Sequence, residues 1–522
     1  MSGPDLVLNA AGRKVPTVSN GLVQTPYQGV GRHLPAGRKH APPIRSSVTY
    51  PAGGDKRADD LETALKRCGL SDGMVISNHH HLRDGDRIAV EVLKTAQRLG
   101  VKDLMWFPSA SFPAQKGVID LMDAGVVHHI EGSMNGPLGE YTSRGKMRGL
   151  GVLRSHGGRY QAIQDGEVKI DIAVIAAPTA DPFGNSDGSH GKSACGSLGF
   201  ALADSIYAEH VIVVTDNLVP FPCVPWQIQG NNVDYVVQVD SIGDPSRIVS
   251  GTTEITKSPD RLRISEHVAR FIRDAGIMRD GFSFQAGAGG IALAFVDFLR
   301  GMMKEAGVKC RFVRGGSTRY LVQMLQEGLT DYILDGQTFD LDAVRSIASD
   351  PRHVATSPFT SYNYHGKGHF ASMVDVAVLG ATEVDVNFNA NVVTHSDGKL
   401  LHGIGGWQNC LASGCTILAV PSFRDRIPVI VDEVTTLVGP GELIDVVVTE
   451  RGIAINPRRA DLIEKVKGSG LPIRPIQEIQ AEVERICGGK PRKARFTQRP
   501  VAVVKWVDGT LLDTVWQLAD TV

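Results

Sequence analysis

No apolar run in the 522 residues approaches the roughly 18 that a membrane-spanning helix needs. The opening MSGPDLVLNAAGRK also lacks the apolar stretch of a secretory signal. There is no CxxC pair, and the seven cysteines (68, 195, 223, 310, 410, 415 and 487) are scattered and odd in number. A disulfide framework is thereby excluded, and reduced thiols in a cytoplasmic protein are expected. A charge excess of one sign is absent too: the formal net charge of −1 supplies no global basic field for nucleic acid. With 42% hydrophobic and 21% charged residues, the composition is that of a globular protein with ample chain for a core.

What is present is a duplication. Residues 171–185, DIAVIAAPTADPFGN, align with 375–389, DVAVLGATEVDVNFN, so that Asp171, Ala173, Val174, Ala177, Asp181 and Asn185 recur 204 places later. DGMVIS at 72–77 answers DGFSFQ at 280–285, and VDYVV at 233–237 answers IDVVV at 444–448. Solenoid repeats have periods of about 20–50 residues, so this is a pair of duplicated domains. The expected organisation is a basic extended arm over 1–58, a first domain over 59–265 and a second over 266–522, with a cleft between the copies suited to a ligand.

Short β-branched runs (DIAVIAA, VIVVTD, VDYVVQVD, IPVIVDE, IDVVVTE) alternate with helical patterns such as EVLKTAQRLG and IALAFVDFLRGMM. Strand and helix in turn, with strands apolar on both faces, predict an α/β fold of mostly parallel sheets covered by helices. Ligands then belong at the carboxyl ends of the strands. The arm, with eight Lys or Arg against two Asp and no apolar periodicity, reads as extended chain lying on something, or as a poorly ordered terminus. KPRKARFTQR at 490–499 has five basic residues and no acid; it is either a solvated linker or a dock for an acidic protein partner. After it, two alternating runs flank Asp508-Gly509, a β-hairpin signal expected to close the second domain.

The chemical candidates sit at strand ends. AGAGG at 286–290 follows the strand FSFQ and precedes a helix, so the backbone N–H groups of Gly287, Gly289 and Gly290 suit a phosphate or a thioester oxyanion. Close strand-to-helix packing explains those glycines equally well. The matching strand of the first copy leads instead into NHHHLRDGD. Adjacent histidines rarely all point at one ion, and no acidic or thiolate ligand stands at a motif spacing, so a metal is not expected. His79, His80 and Arg83 suit anion recognition or form a polar loop with surface histidines, and Arg159 in SHGGR is either a carboxylate grip or part of a turn. Asn185 and Asn389 end matching strands, where an Asn side chain can close a turn. The pairs Gly315-Gly316 and Gly405-Gly406 are compatible with a narrow channel for a long thin ligand.

The strings SNHHHLRDGD, GPLGEYTSRG, SHGGR, DPFGNSDG, GKSACGSLG, FQAGAGG and VVVTERGIAINP together resemble the citrate lyase α subunit family, from about Asp59 to the C-terminal hairpin. The resemblance implies a tandem CoA-transferase-like fold and a citrate:acetyl carrier protein transferase. It implies a homo- and hetero-oligomeric complex with a β subunit, which cleaves citryl thioester, and a γ subunit, an acyl carrier protein. No cofactor is expected to be held tightly by this chain. The implied thioester is carried on the phosphoribosyl-dephospho-CoA arm of the carrier, with CoA or acetyl-CoA as surrogate. Gly315, Gly316, Ser317, Asn389, Gly405 and Gly406 are the implied contacts for that arm.

Exchange of a carboxylate into a thioester passes through an anhydride and two tetrahedral oxyanions, so the site needs preorganised donors and a grip on a polyanion. Related transferases that form a covalent enzyme thioester carry a glutamate on the strand after the glycine loop. Here that strand reads CRFVRGGSTRY, with Gly315, Gly316 and Ser317 at the acid's place. A ternary-complex mechanism is therefore expected, with citrate attacking the bound thioester and releasing acetate; Glu327 is the fallback nucleophile. The alternatives are a covalent CoA-transferase or acyl-CoA hydrolase, or a non-catalytic ligand-binding subunit.

Overall fold

The structure, a computed structural model, describes residues 5–34, 55–249, 254–287, 289–363 and 368–519. Its first sheet contains β1 (Arg57–Ala58), β2 (Val75–Asn78), β3 (Leu104–Pro108), β4 (Val127–Gly132), β5 (Gly151–Leu153), β6 (Ile172–Ala177), β7 (His210–Thr215) and β8 (Tyr235–Gln238). The second contains β9 (Phe282–Ala286), β10 (Cys310–Ser317), β11 (Ile333–Thr338), β12 (His353–Ala355), β13 (Val376–Leu379), β14 (Thr416–Ala419), β15 (Val446–Thr449) and β16 (Gly452–Ile455). The common strands run in the order β5-β4-β3-β2-β6-β7-β8 in one sheet and β12-β11-β10-β9-β13-β14-β15 in the other. All of these pairings are parallel, and the three sequence matches fall on equivalent strands: β2 with β9, β6 with β13, β8 with β15.

The recurring aspartates have a shared local cause. Each precedes a strand and accepts a hydrogen bond from the N–H that opens its neighbour. Asp171 Oδ2 accepts from Val75 N and Asp375 Oδ2 from Ser283 N, both at 2.8 Å. Asp234 takes Val211 N at 2.8 Å and Asp445 takes Thr416 N at 2.7 Å. Asp72 and Asp280 likewise hold Lys102 N and Lys309 N. A strand-opening N–H that faces no ladder partner needs such an acceptor.

Period-two alternation then divides the second sheet between two cores. Ala377, Leu418 and Val447 join an apolar cluster continuous with the first domain. Their neighbours Val378, Ile417 and Val446 face the other way and pack in a second cluster. That cluster includes Phe271 of a helix over Pro259–Asp274 and Phe295 of a helix over Gly290–Ala306.

The C-terminal hairpin forms as expected, with strands β17 (Phe496–Lys505) and β18 (Leu511–Leu518), but it does not belong to the second sheet. Strand β17 pairs in parallel with β5, Ala502 to Gly151 and Val504 to Leu153, which corrects the expectation that the hairpin closes the second domain. The open edge of β5 explains the choice, since an unpaired strand edge exposes backbone donors and acceptors. The arm lies on this hairpin: Asn9 Nδ2 donates to Leu511 O and Leu512 O, and Tyr27 N and Leu511 O close at 2.9 Å. Residues 35–54, the remainder of the arm's basic stretch before β1, lie outside the described residues.

Candidate active site

Strand β2 ends in Asn78; of the three histidines after it, His79 and His81 stack with ring centroids 5.8 Å apart and His80 turns away. His79 Nε2 lies 2.8 Å from Asp204 Oδ2, while His80 turns toward Ser109 and the second copy. Chain alternation puts His79 and His81 on one side and His80 on the other, so the three rings share no focus.

Asp204 sits on a helix over Ala201–Tyr207, and Arg159 on a helix over His156–Asp165. Arg159 reaches both oxygens of Asp204 at 2.7 Å and donates also to Ser77 Oγ and Phe107 O. Ser77 donates to the same carboxylate. Burial raises the Asp204 carboxyl, but Arg159 and His79 override it and hold the group well below the usual carboxylate range. Arg159 and His79 were expected to hold a substrate carboxylate; the protein's own aspartate already occupies them, with both side chains of the ion pair essentially fully buried. This cluster fixes the helix carrying His156 to strand β2.

His80 stands at the interface of the copies. Its Nδ1 is 2.6 Å from Ser109 Oγ and its Nε2 is 3.0 Å from Gln337 Oε1 at the end of β11. Burial, with His156, His81 and Arg83 adding positive neighbours, pushes its pKa well below the ordinary histidine value. Burial therefore favours the neutral ring, and Gln337 as acceptor selects the Nε2–H tautomer.

Arg83 also lies where the copies meet, against Phe339 of the second. It is 8% exposed, adopts φ of 50°, and places its guanidinium 5.0 Å from the Phe112 ring centroid and 4.5 Å from that of Phe339. Among the described residues no carboxylate pairs with it, and burial lowers its pKa only to about 10, so it stays charged. Arg314, unremarked in the sequence, is its counterpart from the second copy. It is 1% exposed, donates to Gln285 Oε1 at 2.7 Å, lies 4.8 Å over the Tyr362 ring, and has no carboxylate partner among the described residues. A buried guanidinium without an anion is costly, which makes each a ligand-binding candidate.

Between the copies lies a cavity of about 260 Å³. Arg314, Gln285 and Gln337 line it from the second sheet, and His156 and Phe200 from the first copy. Gly287, Gly315, Gly316 and Gly406 are at its wall, whereas Gly289, Gly290 and Gly405 are not. Gly316 admits Phe339: a Cβ there would stand 1.7 Å from the ring. Gly405 O instead accepts His156 N at 2.8 Å, joining the copies. Ser317 is wholly buried and donates to Asp335 at 2.5 Å, so it does not contact a ligand in this cleft. Asn389 also lies elsewhere: it bonds Asp385 Oδ2 and accepts from Gly441 N, repeating Asn185 with Asp181 and Gly230. Both asparagines close turns, and Asn389 is removed from the site.

The AGAGG turn leads into the helix over Gly290–Ala306, whose N-cap Gly289 has no side-chain cap; Ala288 lies outside the described residues. The cavity wall among the described residues includes no Asp or Glu. Glu327, the fallback nucleophile, is on the surface, bonded to Arg300 at 2.5 Å and Lys304 at 3.0 Å. A thiol is present, Cys410, but burial pushes its pKa up to about 11 and so disfavours the thiolate. Sequence reasoning missed Arg314, Gln337, Tyr362 and His156. The one available signal was the second of two arginines in the strand CRFVRGG; Arg311 is exposed there and Arg314 is buried.

A family model for citrate lyase, alpha subunit, matches residues 54–518. The chain belongs to the citrate lyase α subunit family. The citrate lyase alpha chain of Klebsiella pneumoniae is 39% identical over 96% of this chain and 97% of its own. That of Haemophilus influenzae is 39% identical over 92% and 96%. A solved α subunit of citrate lyase from Streptococcus mutans, in complex with citrate, superimposes with a TM-score of 0.94 at 37% identity, covering 98% of this chain and all of the other. At the level of fold alone, a 4-hydroxybutyrate CoA-transferase from Porphyromonas gingivalis matches with a TM-score of 0.52 at 16% identity, over 82% of this chain and 98% of its own. Citrate lyase α subunits thus share this tandem architecture with CoA-transferases. No helix among the described residues is long and apolar enough to cross a membrane.

Proposed function

We propose that this citrate lyase α subunit binds citrate in the cleft between its copies and exchanges it for the acetyl group of a carrier-bound thioester. The observation that carries this reading is Arg314, a buried guanidinium at the cavity wall, together with Arg83, which packs against the wall residue Phe339 without itself lining the cavity; neither has a carboxylate of its own among the described residues. Two such groups suit a ligand with several carboxylates, because Arg binds carboxylate through paired N–H donors. The related Streptococcus mutans structure was solved with citrate.

A citrate carboxylate oxygen attacks the acetyl carbonyl, and the C–S bond breaks to give a thiolate and an acetyl-citryl anhydride. The thiolate then attacks the citryl carbonyl, releasing acetate and leaving citryl thioester. Gly287 N–H, at the cavity wall, is the donor assigned to the developing oxyanions. The absence of Asp and Glu from the described cavity wall supports direct attack by citrate. The thioester is the phosphoribosyl-dephospho-CoA arm of the γ subunit, for which acetyl-CoA substitutes, and the β subunit takes the citryl product.

The test is turnover of acetyl-CoA with citrate followed by mass spectrometry. Citryl thioester and acetate are the expected products, and their absence overturns the reading. Hydroxylamine added after incubation with acetyl-CoA alone should leave every carboxylate of the chain unmodified; a hydroxamate on Glu327 or another acid would establish a covalent enzyme instead.

A further inference from the structure

Tyr362, which walls the cleft, also walls a second cavity of about 210 Å³ on its other side. This chamber is bounded by the arm at Val30, by the hairpin turn at Trp506 and Asp508, and by the second copy at Gln408, Asn409 and Leu411. Three of those side chains carry buried polar atoms with no hydrogen-bond partner: Gln408 Oε1, Asn409 Nδ2 and Asp508 Oδ2. The residues are 2%, 4% and 4% exposed.

The orientations of the two amides are set by their other ends. Gln408 Nε2 donates to Val438 O and Lys505 O, so the free atom is the carbonyl oxygen. Asn409 Oδ1 accepts from Gly157 N at 3.0 Å, so the free atom is the N–H donor. Asp508 Oδ1 accepts from Thr510 N and Oγ1, leaving Oδ2. The chamber thus offers two acceptors and one donor; His33 and His369 also line it, and no Lys or Arg does among the described residues. Three unpaired buried polar atoms at one cavity call for a ligand or ordered water. That set complements a chain bearing amide N–H, hydroxyl O–H and carbonyl oxygen, and it disfavours a phosphate or carboxylate, which would face the Asp508 carboxylate.

We infer that this chamber receives the amide-bearing segment of a pantetheine-type arm and delivers its thioester past Tyr362 into the cleft. The inference rests on the thioester exchange proposed above and adds the route by which the arm enters. Ala412, exposed at the chamber's wall, marks the solvent side, and Gly315 and Gly316 lie on the cleft side of Tyr362.

The experiment compares two acetyl donors in the full chain with saturating citrate: acetyl-CoA, with a complete arm, and S-acetyl-N-acetylcysteamine, which lacks the second amide and the hydroxyl. The quantity read is the ratio of kcat/KM for the long donor to that for the short one. Ala412→Trp, at the exposed rim, and Gln408→Leu should each lower that ratio about 10-fold or more, as one lost hydrogen bond or a blocked route implies. An unchanged ratio, or an equal loss with both donors, overturns the assignment and makes the chamber a site for water or packing only. If the unmodified chain forms no citryl thioester from either donor, the exchange reading itself falls, and the chamber assignment with it.

Discussion

His80 of the first copy and Gln337 of the second hold each other at two points: Nε2–H to Oε1 at 3.0 Å, and the glutamine amide back to the His80 carbonyl at 3.2 Å. Ser109 completes the arrangement by lying 2.6 Å from His80 Nδ1. Strand β2 of one copy and strand β11 of the other are thereby locked end to end beside the cavity. The histidine reads as a spacer between domains rather than as a charged anion ligand.

Gln337→Leu removes both contacts and leaves a buried N–H unpaired, at about 1–3 kcal/mol of stability. Gln337→Glu introduces a carboxylate into a cleft that has none on its described wall. Citrate KM should rise more in the glutamate variant than in the leucine variant, while denaturant midpoints fall in both. A lower citrate KM for Gln337→Glu would show that the cavity does not receive the polyanion.

Arg314 and Arg159 are both buried arginines, yet opposite outcomes are expected. Arg159→Met strands Asp204 and should destabilise the protein by about 3–5 kcal/mol. Arg314→Met removes a charge that has no anionic partner among the described residues, so thermal stability should hold or rise. Its kcat/KM for citrate should nevertheless fall about 10- to 100-fold, the range of hydrogen bonds to charged groups. Arg83→Ala should behave as Arg314→Met does. Calorimetry alongside citrate kinetics checks all three, and loss of stability in Arg314→Met without loss of citrate affinity would place it with Arg159.

The tandem α/β fold was legible because duplication leaves the same residues at the same strand positions, as Asp171 and Asp375 do. The hairpin's destination was not, since alternation in VAVVKWV specifies a strand but not which sheet edge it joins. Arg83 was legible as a charge at a strand end. Arg159 looked alike in sequence, and only Asp204, brought in from a helix 45 residues further along, separates a structural arginine from a ligand-binding one. Arg314 escaped notice because the glycine pair beside it drew the reading toward backbone rather than side chain.

Asp204 also sets an acid limit. Its pKa is depressed in the folded protein, so its contribution is present above the unfolded value of about 3.9 and is lost as pH falls through the folded value. Asp204→Asn should therefore be less stable than the unmodified chain at pH 7, with the gap narrowing below about pH 4. Urea unfolding at several pH values measures it; a gap that widens on acidification would contradict the ion pair.

Gly316→Ala puts a Cβ 1.7 Å from the Phe339 ring, and that ring is also the one on which Arg83 rests. Overpacking of this kind costs about 1–3 kcal/mol, and the displaced ring disturbs the guanidinium. Citrate turnover should drop in Gly316→Ala. Adding Phe339→Leu should recover stability without recovering citrate affinity, because the aromatic face beneath Arg83 is then gone.

The basic run bears on the carrier. Arg492, Lys493, Arg495 and Arg499 are exposed and have no ion pair among the described residues, whereas Lys490 is bonded to Asp432 at 2.5 Å. Unpaired cations on one segment attract an acidic surface over a Debye length and speed encounter in a salt-dependent way. Reversal of Arg492, Lys493 and Arg495 to Glu should lower kcat/KM for an acidic acyl carrier at low salt and flatten its salt dependence, with acetyl-CoA turnover as the internal control. An unchanged salt slope for the carrier would make the segment an ordinary solvated connection leading into strand β17.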